Sequence, residues 1–78
     1  MNYPYVFGLV KHTKEQCIIG PFDKVKNAYR KGHEVFGLTS NYIERYDVES
    51  FPTRSVYMIP VDIRGKIFRG LHQRIGDN

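Results

Sequence analysis

The sequence predicts an α+β fold in which a small antiparallel sheet of three or four strands packs against two helices. Isoleucine and valine together outnumber leucine by fourteen to three, and eleven aromatic residues accompany them. These residue types favour strands over helices. One stretch nevertheless has its apolar residues at helical spacing, which indicates at least one helix. The length of 78 residues predicts a single domain over residues 1–78.

Two strands joined by a hairpin loop are predicted near the start. Tyr3 to Lys11 has apolar residues on both faces, which is typical of an inner strand covered on each side. Gly8 within this strand leaves room for the close approach of a ring or another backbone. Residues 12–15 are polar and fit the hairpin loop, and residues 16–19 form the returning strand, which the Gly-Pro pair at 20–21 ends.

The clearest helix follows this hairpin. Asp23 is the predicted N-cap, and Gly37 suits the left-handed position after the last turn. Gly32 inside the helix costs about 1 kcal/mol relative to alanine, so an earlier end at Lys31 stays open. The apolar face, with spacing i, i+3, i+4, i+7 and i+11, consists of Val25, Ala28, Tyr29, Gly32 and Phe36.

The second half predicts two more strands and a closing helix. Tyr42 to Val48 alternates like a strand with one exposed face, and Ser55 to Val61 forms the next strand, where Pro60 marks an edge or an early end. Asp62 can cap a helix whose apolar stripe reaches Ile75, although Arg64-Gly65 also fits a hairpin turn. The resulting order is β-β-α-β-β-α, with both helices on one sheet face. There we expect Val25, Ala28, Tyr29, Ile67, Phe68 and Leu71 to pack on residues such as Val6, Val10 and Ile18.

Charge is segregated along the chain. Residues 1–33 carry six Lys/Arg and two acids (+4), residues 34–62 carry two and five (−3), and residues 63–78 carry four and one (+3). The predicted elements place the basic groups mainly on the helices and the first hairpin, and the acids near the third strand. This distribution predicts a molecule with a basic face and an acidic flank.

No motif for catalysis, metal or cofactor binding is present. The sequence lacks a P-loop, a dinucleotide-binding glycine motif, paired zinc cysteines and a metalloprotease helix motif. His12, His33 and His72 follow no ligand spacing, and Cys17 is alone, as expected of a small core residue in a reducing compartment. The prediction is therefore a cytoplasmic protein with no catalytic residues, no cofactor, no metal, no signal peptide and no membrane span.

A short segment resembles a known family. Ile18-Ile19-Gly20-Pro21-Phe22, followed by a helix with Ala28, is similar to the strand–Gly-Pro-Phe–helix step of peptidoglycan-binding SPOR domains. The resemblance covers roughly 15 of the 78 residues, and the matching second half is missing, so it implies no function here.

The candidate binding residues are basic or tyrosine side chains. Cations in the first turn of a helix are unfavourable for the helix dipole, but beside free N–H groups they can hold an anion. Tyrosines on a half-exposed strand face are common at protein interfaces. Solvated cations and half-buried strand aromatics remain the ordinary alternative for both sets. The candidates are Lys24, Lys26, Arg30, Tyr42, Tyr46, Arg64, Lys66, Arg69 and Arg74.

Three functions are compatible with these features. The first is a small non-catalytic interaction module that binds and modulates another protein, as regulators and inhibitors of phages and mobile elements do; a homodimer also fits. The second is nucleic-acid binding through a basic patch from the two helices. The third is a small toxin-like ribonuclease, which requires His33 or His72 near a tyrosine and a basic cluster. We expect the first.

Overall fold

In the part of the chain that the structure describes, one helix packs against a five-stranded antiparallel sheet. The computed structural model describes residues 2–38, 41–47, 56–61 and 73–76. The sheet order is β3-β1-β2-β4-β5, and every neighbouring pair is antiparallel. The α+β class is therefore confirmed. The elements are β1 Asn2–Leu9, β2 Gln16–Gly20, α1 Val25–Phe36, β3 Tyr42–Asp47, β4 Val56–Pro60 and β5 Gln73–Gly76.

The predicted β-β-α-β-β-α order is not confirmed, because the end of the proposed second helix is a strand. The first four strands agree with the predicted count, and β5 adds a fifth. In β5, Arg74 lies opposite Tyr57 of β4 in the antiparallel register, and Ile75 packs against the core. The apolar spacing that favoured a helix is a local feature of the sequence, so it does not reveal this long-range pairing. Residues 62–72, which hold the rest of that prediction, lie outside the described residues.

β1 is an inner strand, as predicted. β2 lies on one side of it and β3 on the other. The β1–β2 loop is a tight hairpin, in which Val10 donates to the Glu15 carbonyl at 2.9 Å and Lys14 donates to the Val10 carbonyl at 2.8 Å. The hairpin thereby fixes the register of the two central strands, which pairs Phe7 with Ile18.

The main core lies between α1 and one face of the sheet. Ala28 and Phe36 of the helix are buried there against Val6, Cys17 and Ile19. The packing is close because glycines face these side chains. A Cβ on Gly8 would overlap the Phe36 ring, and one on Gly32 would lie 2.7 Å from a Val6 methyl group. The close approach expected at Gly8 is thus confirmed.

A second apolar cluster occupies the opposite sheet face. Tyr5, Ile18, Ile59 and Val61 are buried in it. The prediction that Ile18 packs under the helix was therefore wrong, since strand alternation turns it away from Val6 and Ile19. Among the predicted helix contacts, Val25 and Tyr29 are only half-buried, and Ile67, Phe68 and Leu71 lie outside the described residues.

The ends of α1 differ in part from the prediction. Lys24, not Asp23, occupies the N-cap position, and no side chain caps it. The Asp23 carboxylate accepts a hydrogen bond from the Asn27 amide at 2.8 Å instead. At the other end the helix continues past Lys31 to Phe36, and Gly37 follows with a positive φ of 92°.

Pro60 is the last residue of β4. β4 pairs with β2 on one side, where Pro60 faces Cys17, and with β5 on the other, where the described pairs run from Val56 opposite Gly76 to Met58 opposite Gln73. β4 is therefore not an edge strand. Of the two predicted alternatives, an early end is the one observed.

Candidate functional site

The edge strand β3 presents tyrosines on the sheet face opposite α1. The β1–β3 register places Glu44 beside Tyr5 and Tyr42 beside Phe7. Because strand side chains alternate, Tyr46 points to the same face. We call this surface the tyrosine strip; it consists of Phe7, Leu9, Tyr42, Glu44 and Tyr46.

Ring contacts hold the strip while leaving part of it exposed. Phe7 and Tyr42 stack with ring centroids 4.8 Å apart, and Tyr46 meets Tyr5 edge-on at 5.2 Å. Tyr42 is nevertheless 45% exposed, and Leu9 is 40% exposed. The strip is thus anchored in the core at its inner side and offers ordered apolar area at its outer side.

Glu44 gives the strip a negative charge. The Tyr46 hydroxyl donates a hydrogen bond to the Glu44 carboxylate. Burial raises the pKa of Tyr46 to about 12, and the bond and charge of Glu44 act in the same direction. Burial and then Glu44 also raise the pKa of Tyr42. Both phenols therefore stay neutral at physiological pH and can donate hydrogen bonds.

A second surface is an open groove along α1. The described residues that line it are Lys26, Tyr29, Arg30 and His33, and its volume is about 600 Å³. These residues recur at i, i+3, i+4 and i+7, so they form a single stripe on the helix. The rings of Tyr29 and His33 lie 6.0 Å apart with planes tilted by 33°. We call this surface the helix groove.

The cations of the helix groove differ from others on α1 in their surroundings. Lys31 pairs with Glu34 at 3.4 Å. Lys24 lies near Asp23, whose pKa is lowered first by the Asn27 hydrogen bond and also by the Lys24 charge. Within residues 2–38, 41–47, 56–61 and 73–76, Lys26 and Arg30 have no carboxylate partner.

The structure brings together some of the predicted binding residues. Lys26 and Arg30 share the helix groove, and Tyr42 and Tyr46 share the tyrosine strip on the other side of the sheet. Lys24 is exposed at the helix N-cap. Arg74 has its backbone in β5. Arg64, Lys66 and Arg69 lie outside the described residues.

Five site residues are not among the predicted binding residues: Phe7, Leu9, Tyr29, His33 and Glu44. His33 was a candidate only for the ribonuclease alternative, and Glu44 appeared only as a neighbour of Tyr42 and Tyr46 on their strand face. Tyr29 and His33 could have been found, because their helical spacing from Lys26 and Arg30 places all four on one stripe. Tyr29 had been given to the core because it also fits the apolar face of the helix. Phe7 and Leu9 could not be assigned, since their exposure depends on which face of the sheet α1 covers.

Neither surface contains a thiolate or a metal cluster. Cys17 is buried, and burial followed by the Glu15 charge raises the pKa of its thiol to about 11. This thiol is protonated at neutral pH and is a poor nucleophile. Among the described residues, no three His, Cys, Asp or Glu side chains come close enough to hold a metal ion. The part of the chain that is described also has no helix whose length and apolar character would let it cross a membrane.

Comparison with known proteins gives no assignment: no family model, no curated protein and no solved structure matches the chain.

Proposed function

We propose that the protein is a non-catalytic interaction module whose tyrosine strip binds another protein and modulates it. The observation that carries this proposal is the exposed, ordered apolar area at Tyr42 and Leu9, which are 45% and 40% exposed. Tyrosines supply large contact area with little loss of rotamer entropy. Phe7 stacks on Tyr42, and Tyr5 contacts Tyr46 from the core side, so the geometry of the strip needs little ordering when a partner binds.

The charge of the strip favours a protein over a nucleic acid. Glu44 is exposed between Tyr42 and Tyr46, and a carboxylate there repels a phosphate backbone. A partner surface that combines apolar side chains with a lysine or arginine opposite Glu44 would satisfy the strip. A regulator or inhibitor acting in the cytoplasm is the role that fits such a small surface.

Affinity capture with matched variants tests the proposal. The immobilised protein is exposed to nuclease-treated lysate of the cells that produce it, beside Tyr42→Ser and Glu44→Gln. We expect a stoichiometric protein partner that is lost with Tyr42→Ser and weakened about tenfold or less with Glu44→Gln, since a rim charge contributes modestly.

Matched changes on α1 serve as controls. Tyr29→Ser and Glu34→Gln alter the same residue types on the other side of the sheet, and they should retain the partner. Leu9→Ser provides a second strip variant if Tyr42→Ser loses its fold, which circular dichroism reports. No stoichiometric partner, or equal loss with the α1 variants, would contradict the proposal.

A further inference from the structure

We infer that the helix groove is a separate binding site for a nucleotide phosphate, taken either from single-stranded nucleic acid or from a free nucleotide. This inference does not depend on the tyrosine strip, because the two surfaces lie on opposite sides of the sheet. It rests on two cations and two aromatic rings that share one stripe of α1 and on the open groove that these described residues line.

Lys26 and Arg30 supply the anion-binding part. They lie one helical turn apart, and the described residues include no carboxylate that neutralises either one. Glu34, which also lies on α1, is engaged by Lys31 at 3.4 Å. An arginine beside a lysine offers forked donors together with a point charge, and both bind phosphate oxygens.

Tyr29 and His33 supply the part that recognises a base. Their rings lie 6.0 Å apart and are tilted by 33°, so they present neighbouring surfaces on the same stripe as the cations. Bases stack on tyrosine and histidine rings in single-strand recognition. A tyrosine half-buried beside two cations suits a phosphate with an attached base better than inorganic phosphate alone.

The dimensions agree with a ligand of this size. The groove volume of about 600 Å³ lies within the range of roughly 300–1,000 Å³ that is usual for small-ligand sites. From Lys26 to His33 the stripe extends about 10 Å along the helix axis. That length accommodates one or two nucleotides and is too short to hold a duplex.

Binding of labelled oligonucleotides by fluorescence anisotropy tests the inference. The probes are short oligo(U) and oligo(dT) strands, with unlabelled UMP and inorganic phosphate as competitors. We expect binding at about 50 mM salt. The slope of log K against the logarithm of the salt concentration should be steeper by about 1.4 for the native protein than for Lys26→Gln/Arg30→Gln, because each contacted phosphate contributes about 0.7 to it. Tyr29→Ala should weaken binding about tenfold, and Tyr29→Phe should restore it.

Matched outcomes decide the source of the ligand and the fate of the inference. Lys11→Gln/Lys14→Gln removes the same charge from the β1–β2 hairpin and should leave binding within about twofold. If UMP competes at a concentration equal to that of the nucleotides in the probe, the ligand is a free nucleotide. If UMP does not compete at that concentration, the ligand is a single strand. Both results support the site. No binding, equal weakening by the hairpin variant, or equal competition by inorganic phosphate would overturn it.

Discussion

At the scale of single residues, Gly32 shows how closely the helix packs on the sheet. In an open helix, alanine at this position would be more stable than glycine by about 1 kcal/mol. Here a Cβ would lie 2.7 Å from Val6 and 2.6 Å from the Asn41 side chain. Overpacking of this kind costs about 1–3 kcal/mol. The close contact therefore outweighs the helix propensity.

We predict that Gly32→Ala lowers the free energy of unfolding by about 1 kcal/mol, measured by urea denaturation. In a Val6→Ala background the same change should be at least about 1 kcal/mol less harmful, because the valine methyl groups are gone. Arg30→Ala, on the exposed side of the helix, should change stability by less than about 0.5 kcal/mol. A stabilising effect of Gly32→Ala in the native background would contradict this account of the packing.

Single-residue predictions from the sequence succeeded where strand alternation or chain geometry decides the outcome. Gly8 was expected to admit a ring, and it faces Phe36. Ile18 and Tyr29 were misplaced. Ile18 lies next to Ile19, which is equally apolar and is the one that packs under the helix, and Tyr29 lies next to Ala28, which is the buried residue of that pair. Which face a strand residue occupies depends on where the helix packs, and that information is not local.

At the scale of elements, the end of α1 depends on the backbone of Gly37. This residue has φ 92° and ψ −171°, a region that only glycine occupies readily. Its N–H donates to the His33 carbonyl at 3.1 Å, and its carbonyl accepts from the Asn41 amide at 2.6 Å. The sequence predicted the positive φ, but the left-handed helical ψ expected of a usual cap is not found.

We predict that Gly37→Ala and Gly37→Asn destabilise the protein alike, by about 1–3 kcal/mol, because neither side chain suits this conformation. Asparagine tolerates the left-handed helical region. If urea denaturation shows Gly37→Asn to be much more stable than Gly37→Ala, Gly37 is an ordinary left-handed helical cap and this account is wrong. The nearest atoms to a Cβ at Gly37 are those of Lys11 at 3.9 Å, so crowding does not explain the expected loss.

The elements differ in how far they could be predicted. β1, β2, α1, β3 and β4 all lie within two residues of the predicted bounds, since alternation, helical spacing, glycine and proline define them locally. β5 could not be predicted, because Gln73–Gly76 is too short to show alternation and its strand character comes from pairing with β4. Ile75 fits a helical stripe and a strand equally well, and the pairing decides between them.

At the scale of the whole molecule, the described residues separate two kinds of surface. Exposed cations of α1 lie on one side of the sheet, and Glu44 with the tyrosine strip lies on the other. The basic face and acidic flank predicted from the segregated charge depend on a second helix beside α1, so they remain a prediction. The sequence could not show that the aromatic rings on the two sides have different neighbours, with cations beside Tyr29 and a carboxylate beside Tyr46.

A buried thiol and a half-buried phenol make the whole protein sensitive to alkaline pH. The pKa of Cys17 rises from 9.0 to about 11, and that of Tyr46 rises from 10.0 to about 12. Between the unfolded and folded values the native state binds more protons than the unfolded state, so stability falls as pH rises. The contribution is complete below about pH 9 and is lost through about pH 12.

We predict that the urea midpoint changes little between about pH 7 and pH 9 and then decreases at about pH 10 and further at about pH 11. Cys17→Ala should make the decrease between about pH 9 and 11 shallower, although it lowers stability at pH 7 by removing core volume. Tyr46→Phe should reduce the decrease above about pH 10. A midpoint that stays constant or rises above pH 9 would show that these groups are not protected by burial.

The central claim is that the tyrosine strip is the surface that contacts a protein partner. Site-specific photo-crosslinking tests it most directly, with a benzophenone side chain placed at position 42 on the strip or at position 30 on α1. We predict that the position 42 protein forms one discrete crosslinked species with a cellular protein and that the position 30 protein does not. Crosslinking to that protein from position 30 alone, or from neither position, would contradict the claim.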